Sequence, residues 1–145
     1  MTNPSPSRAE LTLLDALQQE AFSYFQHETN PANGMVVDKT GDDWPASIAA
    51  IGLGLSCYPV AIERGLMTRA AAIQVTLATL RFFAQSVQGP QPDATGYRGF
   101  YYHFLDMKTG RRARGCEVST VDTALLLAGA LVAAAYFTRS DGDEA

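Results

Sequence analysis

The side chains best suited to chemistry lie within residues 97–123, YRGFYYHFLDMKTGRRARGCEVSTVDT, between two apolar stretches. Tyr97, Phe100, Tyr101, Tyr102 and Phe104 supply flat apolar faces, while His103, Asp106, Glu117 and Asp122 supply groups that hold or move protons. Such a mixture suits a polar, ring-shaped ligand such as a sugar. Glu117 stands first among the acids. It lies between Cys116 and Val118 just ahead of an apolar run, where burial would raise its pKa and make it a proton donor. Its bland alternative is a pairing with Arg112 or Arg114 across a hairpin. Asp122 follows Ser119 at capping-box spacing, so it can accept the Ser119 backbone N–H and face the positive end of a helix dipole. Those interactions keep a carboxyl ionised, which fits Asp122 to act as a base or hydroxyl-binding group, or to cap and nothing more.

The other candidates carry similar pairs of readings. Asp106 and His103 sit near a turn, where Asp commonly bonds its own backbone. Trp44, the one tryptophan, either stacks on a sugar face or staples the start of a helix. Asp38, Asp42 and Asp43 read as a solvated acidic loop. Tyr101 and Tyr102 point in opposite directions if extended, so at most one faces a cavity.

The elements that must position these groups follow from local signals. Ser7 and Glu10 have capping-box spacing ahead of the stripe Leu11, Leu14, Leu17, Ala21 and Phe25, which predicts an amphipathic helix over residues 9–26. A turn-rich loop with a short extended piece at Val36 and Val37 leads to Pro45. Residues 46–64 are apolar or small on every side, predicting an enclosed helix; Gly52, Gly54 and Ser56 permit close approach, Pro59 loosens a turn, and Gly65 ends it. Thr68 caps a third, amphipathic helix to about residue 85 with the stripe Ile73, Leu77, Leu80 and Phe83. Residues 100–105 and 111–117 pair as a hairpin across DMKTG, with Gly110 at the turn. Ser119 then opens a fourth helix to about residue 137, apolar all round, before a polar tail. Amphipathic and enclosed helices alternate, and the decorated loops lead into the enclosed ones. That order suits a double-layered ring of helical hairpins better than a four-helix bundle, whose helices are all equally amphipathic.

Composition bounds the partners. A chain of 145 residues, 47% hydrophobic and 18% charged, fits one folded domain, here residues 9–137 between a disordered 1–8 and a polar 138–145 tail. A net charge of -4, with basic residues clustered only at Arg111, Arg112 and Arg114, offers no footprint for nucleic acid. Cys57 and Cys116 match no metal-ligand spacing and read as small buried residues, with a disulfide between them left open. The N-terminus lacks the pattern of a secretory signal, so the expected address is cytoplasmic, or periplasmic or secreted if that end is incomplete. The uncharged runs 46–62 and 123–138 fall short of the ~20 residues that cross a bilayer, so no membrane partner is expected.

Four ordered blocks carry a family resemblance: NPANGMVVD (30–38), ASIAAIGLGLSCYPVAIERG (46–65), GFYYHFLDMKTGRR (99–112) and CEVSTVDTALLLAGAL (116–131). Together they resemble the N-terminal part of the glycoamylase-like family, which includes bacterial β-1,2-glucanases and regions of cyclic β-1,2-glucan synthases. The resemblance implies an all-α (α/α)6 toroid, of which this chain holds the first two hairpins, and a β-glucan substrate processed by carboxylate acid/base catalysis without a cofactor. Glu117 and Asp122 are then the catalytic candidates, and Trp44, Asp38, Tyr102, His103, Asp106 and Arg112 the substrate-binding ones. Glycoside hydrolysis sets its carboxyls about 5 Å apart for retention and ~6.5–9.5 Å for inversion, and a five-residue separation around a helix start fixes neither. Arg114 departs from the family pattern, which carries an aromatic there; on a cavity rim this loses a stacking platform. Two rival readings remain: a truncated, inactive or glycan-binding remnant, and a helical interaction module that self-associates through apolar edges.

Overall fold

The computed structural model describes residues 5–138; the expectations for residues 1–4 and 139–145 lie outside the described residues. The first helix, α1 (Arg8–His27), opens on the capping box read from the sequence: Ser7 Oγ accepts from Glu10 N at 3.3 Å, and Ser7 N donates to Glu10 Oε2 at 2.7 Å. A small antiparallel ribbon follows, β1 (Thr29–Asn30) against β2 (Met35–Val36), and a bridge from Val37 to Ala46 carries the chain to β3 (Ala46–Ser47). The apolar run becomes α2 (Ile48–Glu63), continuous through Pro59 and followed by Gly65 at φ +67°. Thr68 Oγ1 accepts from Ala71 N at 3.2 Å and so caps α3 (Arg69–Gln85).

Beyond α3 come four short strands, β4 (Gly96–Tyr97), β5 (Phe100–Tyr102), β6 (Phe104–Leu105) and β7 (Val118–Ser119), and then α4 (Thr120–Phe137). The order β4-β5-β7 forms one antiparallel sheet, while β6 pairs with β3. Arg98 and Gly99, at φ 53° and 86°, make the two-residue turn between β4 and β5, the left-handed pair that such hairpins require.

The expected pairing of residues 100–105 with 111–117 forms around the turn at Gly110, with Asp106 N donating to Arg111 O at 2.8 Å and His103 N to Glu117 O at 3.0 Å, but its register is interrupted. Leu105 bridges Arg112, but Tyr102 pairs with Val118, so the register slips by three residues between these points. Ala113 N still donates to Phe104 O at 2.9 Å, so it is residues 114–116 that bulge out of the ladder. Cys116 closes the gap with its side chain, Sγ accepting from Phe104 N at 3.2 Å and donating to Phe104 O at 3.4 Å. Both cysteines are free and partly exposed.

The core centres on α2, with Met35, Ile48, Ile51, Leu55 and Leu105 fully buried. Its main neighbour is α4, and the seam between them is made of glycine: a Cβ on Gly129 would lie 2.0 Å from Gly52 O, and one on Gly52 would lie 2.3 Å from Leu125 O. Gly54 instead meets the Phe25 ring of α1.

Two expectations of burial are overturned. Of the α1 stripe, Leu11, Leu14 and Leu17 are about half exposed, and Phe22 is the buried residue of this helix. Likewise α4 is not enclosed: Val121 is 69% and Leu131 71% exposed. The buried face of α4 is a narrow one of Thr123, Leu126, Gly129 and Ala133, and Leu125, Leu127 and Leu131 are left exposed. By length and composition α4 is also apolar enough to cross a membrane, with 22% of it buried. The face that α3 buries is Ala72, Val75, Thr76 and Thr79, leaving Leu77 40% exposed.

Candidate functional site

His103 sits where the loops into α2 and α4 meet. Its carbonyl oxygen accepts from Ile48 N, the first residue of α2, at 3.3 Å, and its N–H donates to Glu117 O at 3.0 Å. Glu117 is therefore directly across the strand from it. Strand alternation does the rest: Cys116 turns to Phe104 and Val118 packs on the core, so Glu117 points the other way, on the side of the His103 ring.

The outcome is a carboxylate–imidazole–carboxylate cluster. Glu117 Oε1 lies 2.9 Å from His103 Nδ1, and Asp122 Oδ2 lies 3.5 Å from His103 Nε2. An ionised carboxylate can only accept, so the Glu117 contact calls for a proton on Nδ1. The imidazole stacks on the Phe104 ring at 3.9 Å between centroids, which fixes its plane. Asp122 is held by the start of α4, where its backbone N donates to Ser119 Oγ at 3.2 Å. Thr123 locks the same turn to the sheet, its Oγ1 accepting from Tyr101 N at 3.0 Å and donating to Ser119 O at 2.6 Å.

The environment of Glu117 differs from the expected one. Its side chain is 69% exposed, and its own backbone N–H, followed by the His103 contact, holds its carboxyl below the ordinary glutamate range. A buried acid with a raised pKa is thus not what this chain presents. Neither arginine is its hydrogen-bond partner; the imidazole takes that place. Asp122, at 18% exposure, is the more enclosed of the two carboxylates.

The remaining candidates are dispersed. Asp106 Oδ1 accepts from Lys108 N, Thr109 N and Thr109 Oγ1 at 3.1, 2.7 and 2.8 Å, and the Thr109 bonds hold its carboxyl below the ordinary aspartate range. It organises the turn at Gly110. Tyr102 is buried at 7% exposure, with the Arg112 guanidinium 4.4 Å from its ring centroid, so it offers no face to a ligand; Tyr101 packs on Phe83. Arg112 donates to Gly115 O at 2.7 Å and keeps a buried Nε without a partner. Asp38 anchors the approach to β3 through its backbone, N donating to Pro45 O at 2.8 Å. Trp44 has company on its ring: Lys39 Nζ at 3.6 Å and Arg114 Cζ at 4.1 Å from the centroid. Sequence reasoning did not assign Lys39 or Thr123. A threonine four residues after Ser119 was the available signal for the latter.

No family model and no curated protein matches this chain. Solved structures do. A glucoamylase candidate from Bacteroides uniformis is 28% identical with a TM-score of 0.73, over 97% of this chain and 33% of its own. A β-1,2-glucanase from Parabacteroides distasonis is 25% identical with a TM-score of 0.76, over 97% of this chain and 20% of its own. A glucoamylase candidate from Bacteroides fragilis, at 19% identity and a TM-score of 0.73, shares the fold over 97% of this chain and 34% of its own. The chain is therefore similar to glycoamylase-like proteins along nearly all of its length, and it spans about a third or less of theirs.

Proposed function

We propose that this chain forms one wall of a glycoamylase-like glycoside hydrolase site that takes β-glucan, with its helices serving as hairpins of an (α/α) toroid. The observation that carries the reading is the likeness, at 25–28% identity over 97% of the chain, to a β-1,2-glucanase and a glucoamylase candidate. The His103, Glu117 and Asp122 cluster supports it, because it gathers proton-handling groups at the loops that lead into α2 and α4.

Each group then has a task. Asp122, at the helix start, accepts from sugar hydroxyls or takes a proton from water. Glu117 donates a proton to a glycosidic oxygen only once its carboxyl is dried, since desolvation favours the neutral acid. At its present exposure it is a hydroxyl acceptor. That favours a second reading for this chain by itself, in which it holds glucan without cleaving it.

Incubation of the purified chain with β-1,2-glucan, beside Glu117→Gln and Asp122→Asn, separates the two readings. Retention of the chain in a native gel containing glucan, without release of reducing ends, is the expected result. Reducing sugar from the wild type that disappears in both variants would replace the binding reading with a catalytic one. Unretarded migration in glucan and no sugar release would remove the glycan assignment altogether.

A further inference from the structure

Among the described residues three non-glycine residues adopt left-handed backbone: Asp43 at φ 56°, Arg98 at φ 53° and Arg114 at φ 54°. The β4–β5 turn accounts for Arg98. The other two come from separate loops and touch, Arg114 Nη2 donating to Asp43 O at 3.3 Å. They meet at Trp44, whose indole edge is backed by Gly41; a Cβ there would come within 2.8 Å of Cδ1. Strained backbone persists only where its surroundings over-determine it, and such positions cluster at ligand clamps. Here the strain delivers a cation to an indole that already carries one.

Lys39 Nζ and Arg114 Cζ lie 3.6 and 4.1 Å from the same ring centroid, so their charges stand well inside the ~10 Å screening length of 0.1 M salt. Both side chains are exposed, and among the described residues neither forms an ion pair with a carboxylate. Asp42 and Asp43 lie on the same loop and lower the local potential, and Asp43 engages Arg114 through its backbone carbonyl alone. A neutral pyranose would stack on a bare indole face, and these cations compete for it. An anion at this edge of the indole is instead drawn by both charges, since each lies within the same screening length.

We propose that Lys39, Trp44 and Arg114 form a subsite for a negatively charged substituent of a glycan, a carboxylate or a phosphate or sulfate ester. The inference rests on the reading of this chain as one that binds glycan and adds charge selectivity to it. Trp44 is the one tryptophan, so its fluorescence reports the subsite alone. The probes are a β-1,2-gluco-oligosaccharide, the same chain with its C6 hydroxyls oxidised to carboxylates, and free glucuronate at matched ionic strength. The oxidised chain is expected to change Trp44 emission at a concentration at least about tenfold below the neutral one, with free glucuronate weaker still. Raising salt should erode that preference. Lys39→Met with Arg114→Gly, the latter tolerant of the left-handed backbone, should abolish it while native circular dichroism is retained.

Equal responses to the neutral and oxidised chains would overturn the inference and leave the glycan site standing. A response to glucuronate as strong as to the oxidised chain would overturn the glycan part, leaving a simple anion site. No response to the oxidised chain in natively folded protein would overturn the subsite, whatever the outcome with β-1,2-glucan in gels.

Discussion

Replacing Gly129 by Ala tests the packing that sets α4 against α2 and so fixes Asp122 relative to His103. An added Cβ would lie 2.0 Å from Gly52 O, 2.7 Å from its carbonyl carbon and 2.8 Å from its Cα, all backbone atoms that cannot rotate away. Ordinary contact begins near 3.4 Å, so the helices must part by about 1.4 Å along that line. Overpacking of this kind costs about 1–3 kcal/mol, and a backbone-to-backbone collision belongs at the upper end. Against it stands the ~1 kcal/mol by which Ala favours a helix over Gly. The net expectation is a loss of about 2 kcal/mol. Urea unfolding followed by circular dichroism would read it as a lower midpoint at unchanged slope, near 1 M lower if the slope is ~2 kcal/mol/M. An unchanged or raised midpoint for Gly129→Ala would refute the glycine seam, because helix propensity alone predicts that sign.

Two further outcomes follow. The Glu117 carboxyl, followed by carbon-13 NMR, should titrate below an ordinary glutamate; His103→Phe should raise the midpoint part of the way, since the Glu117 backbone N–H remains. A folded pKa below the unfolded one means that the contribution to stability is present above the unfolded value and is lost as pH falls through the folded one, so acid unfolding of His103→Phe should be less steep. Leu131→Lys, at a residue 71% exposed, should leave stability within about 0.5 kcal/mol while reducing concentration-dependent light scattering, and unchanged scattering would discount this edge as a route to self-association.

Helix starts were legible because their chemistry is local. Ser7 with Glu10, Thr68 and Ser119 all accept from a backbone N–H in the first turn that follows. Gly52 announced a close approach in the same way. His103 was harder to read, since its position depends on which strand lies opposite, and that register slips by three residues at the 114–116 bulge. Glu117 was misread for a related reason. Its neighbours Cys116 and Val118 are apolar and packed, but in an extended segment they describe one face, and the residue between them takes the other. The leucines of α1 follow a helical period and those of α4 sit in a helix apolar all round; either pattern says that they can be covered, and neither says by what.

The exposed leucines of α1 have a kinetic consequence. Twenty residues at 1.5 Å each make a rod about 30 Å long, tied down near its C-terminal end by Phe22, by Tyr24 Oη donating to Val37 O at 2.5 Å, and by Gln26 reaching Leu66 O. Along the preceding turns, among the described residues, the ion pair between Asp15 and Arg64 is the polar cross-link to the body. Amides there are guarded by the capping box and by helix propensity, so they open by local fraying instead of waiting for the whole molecule to unfold. Hydrogen–deuterium exchange should rise steadily from Phe22 back towards Arg8, and that half of α1 is the part of the fold most readily re-aimed by whatever packs against it.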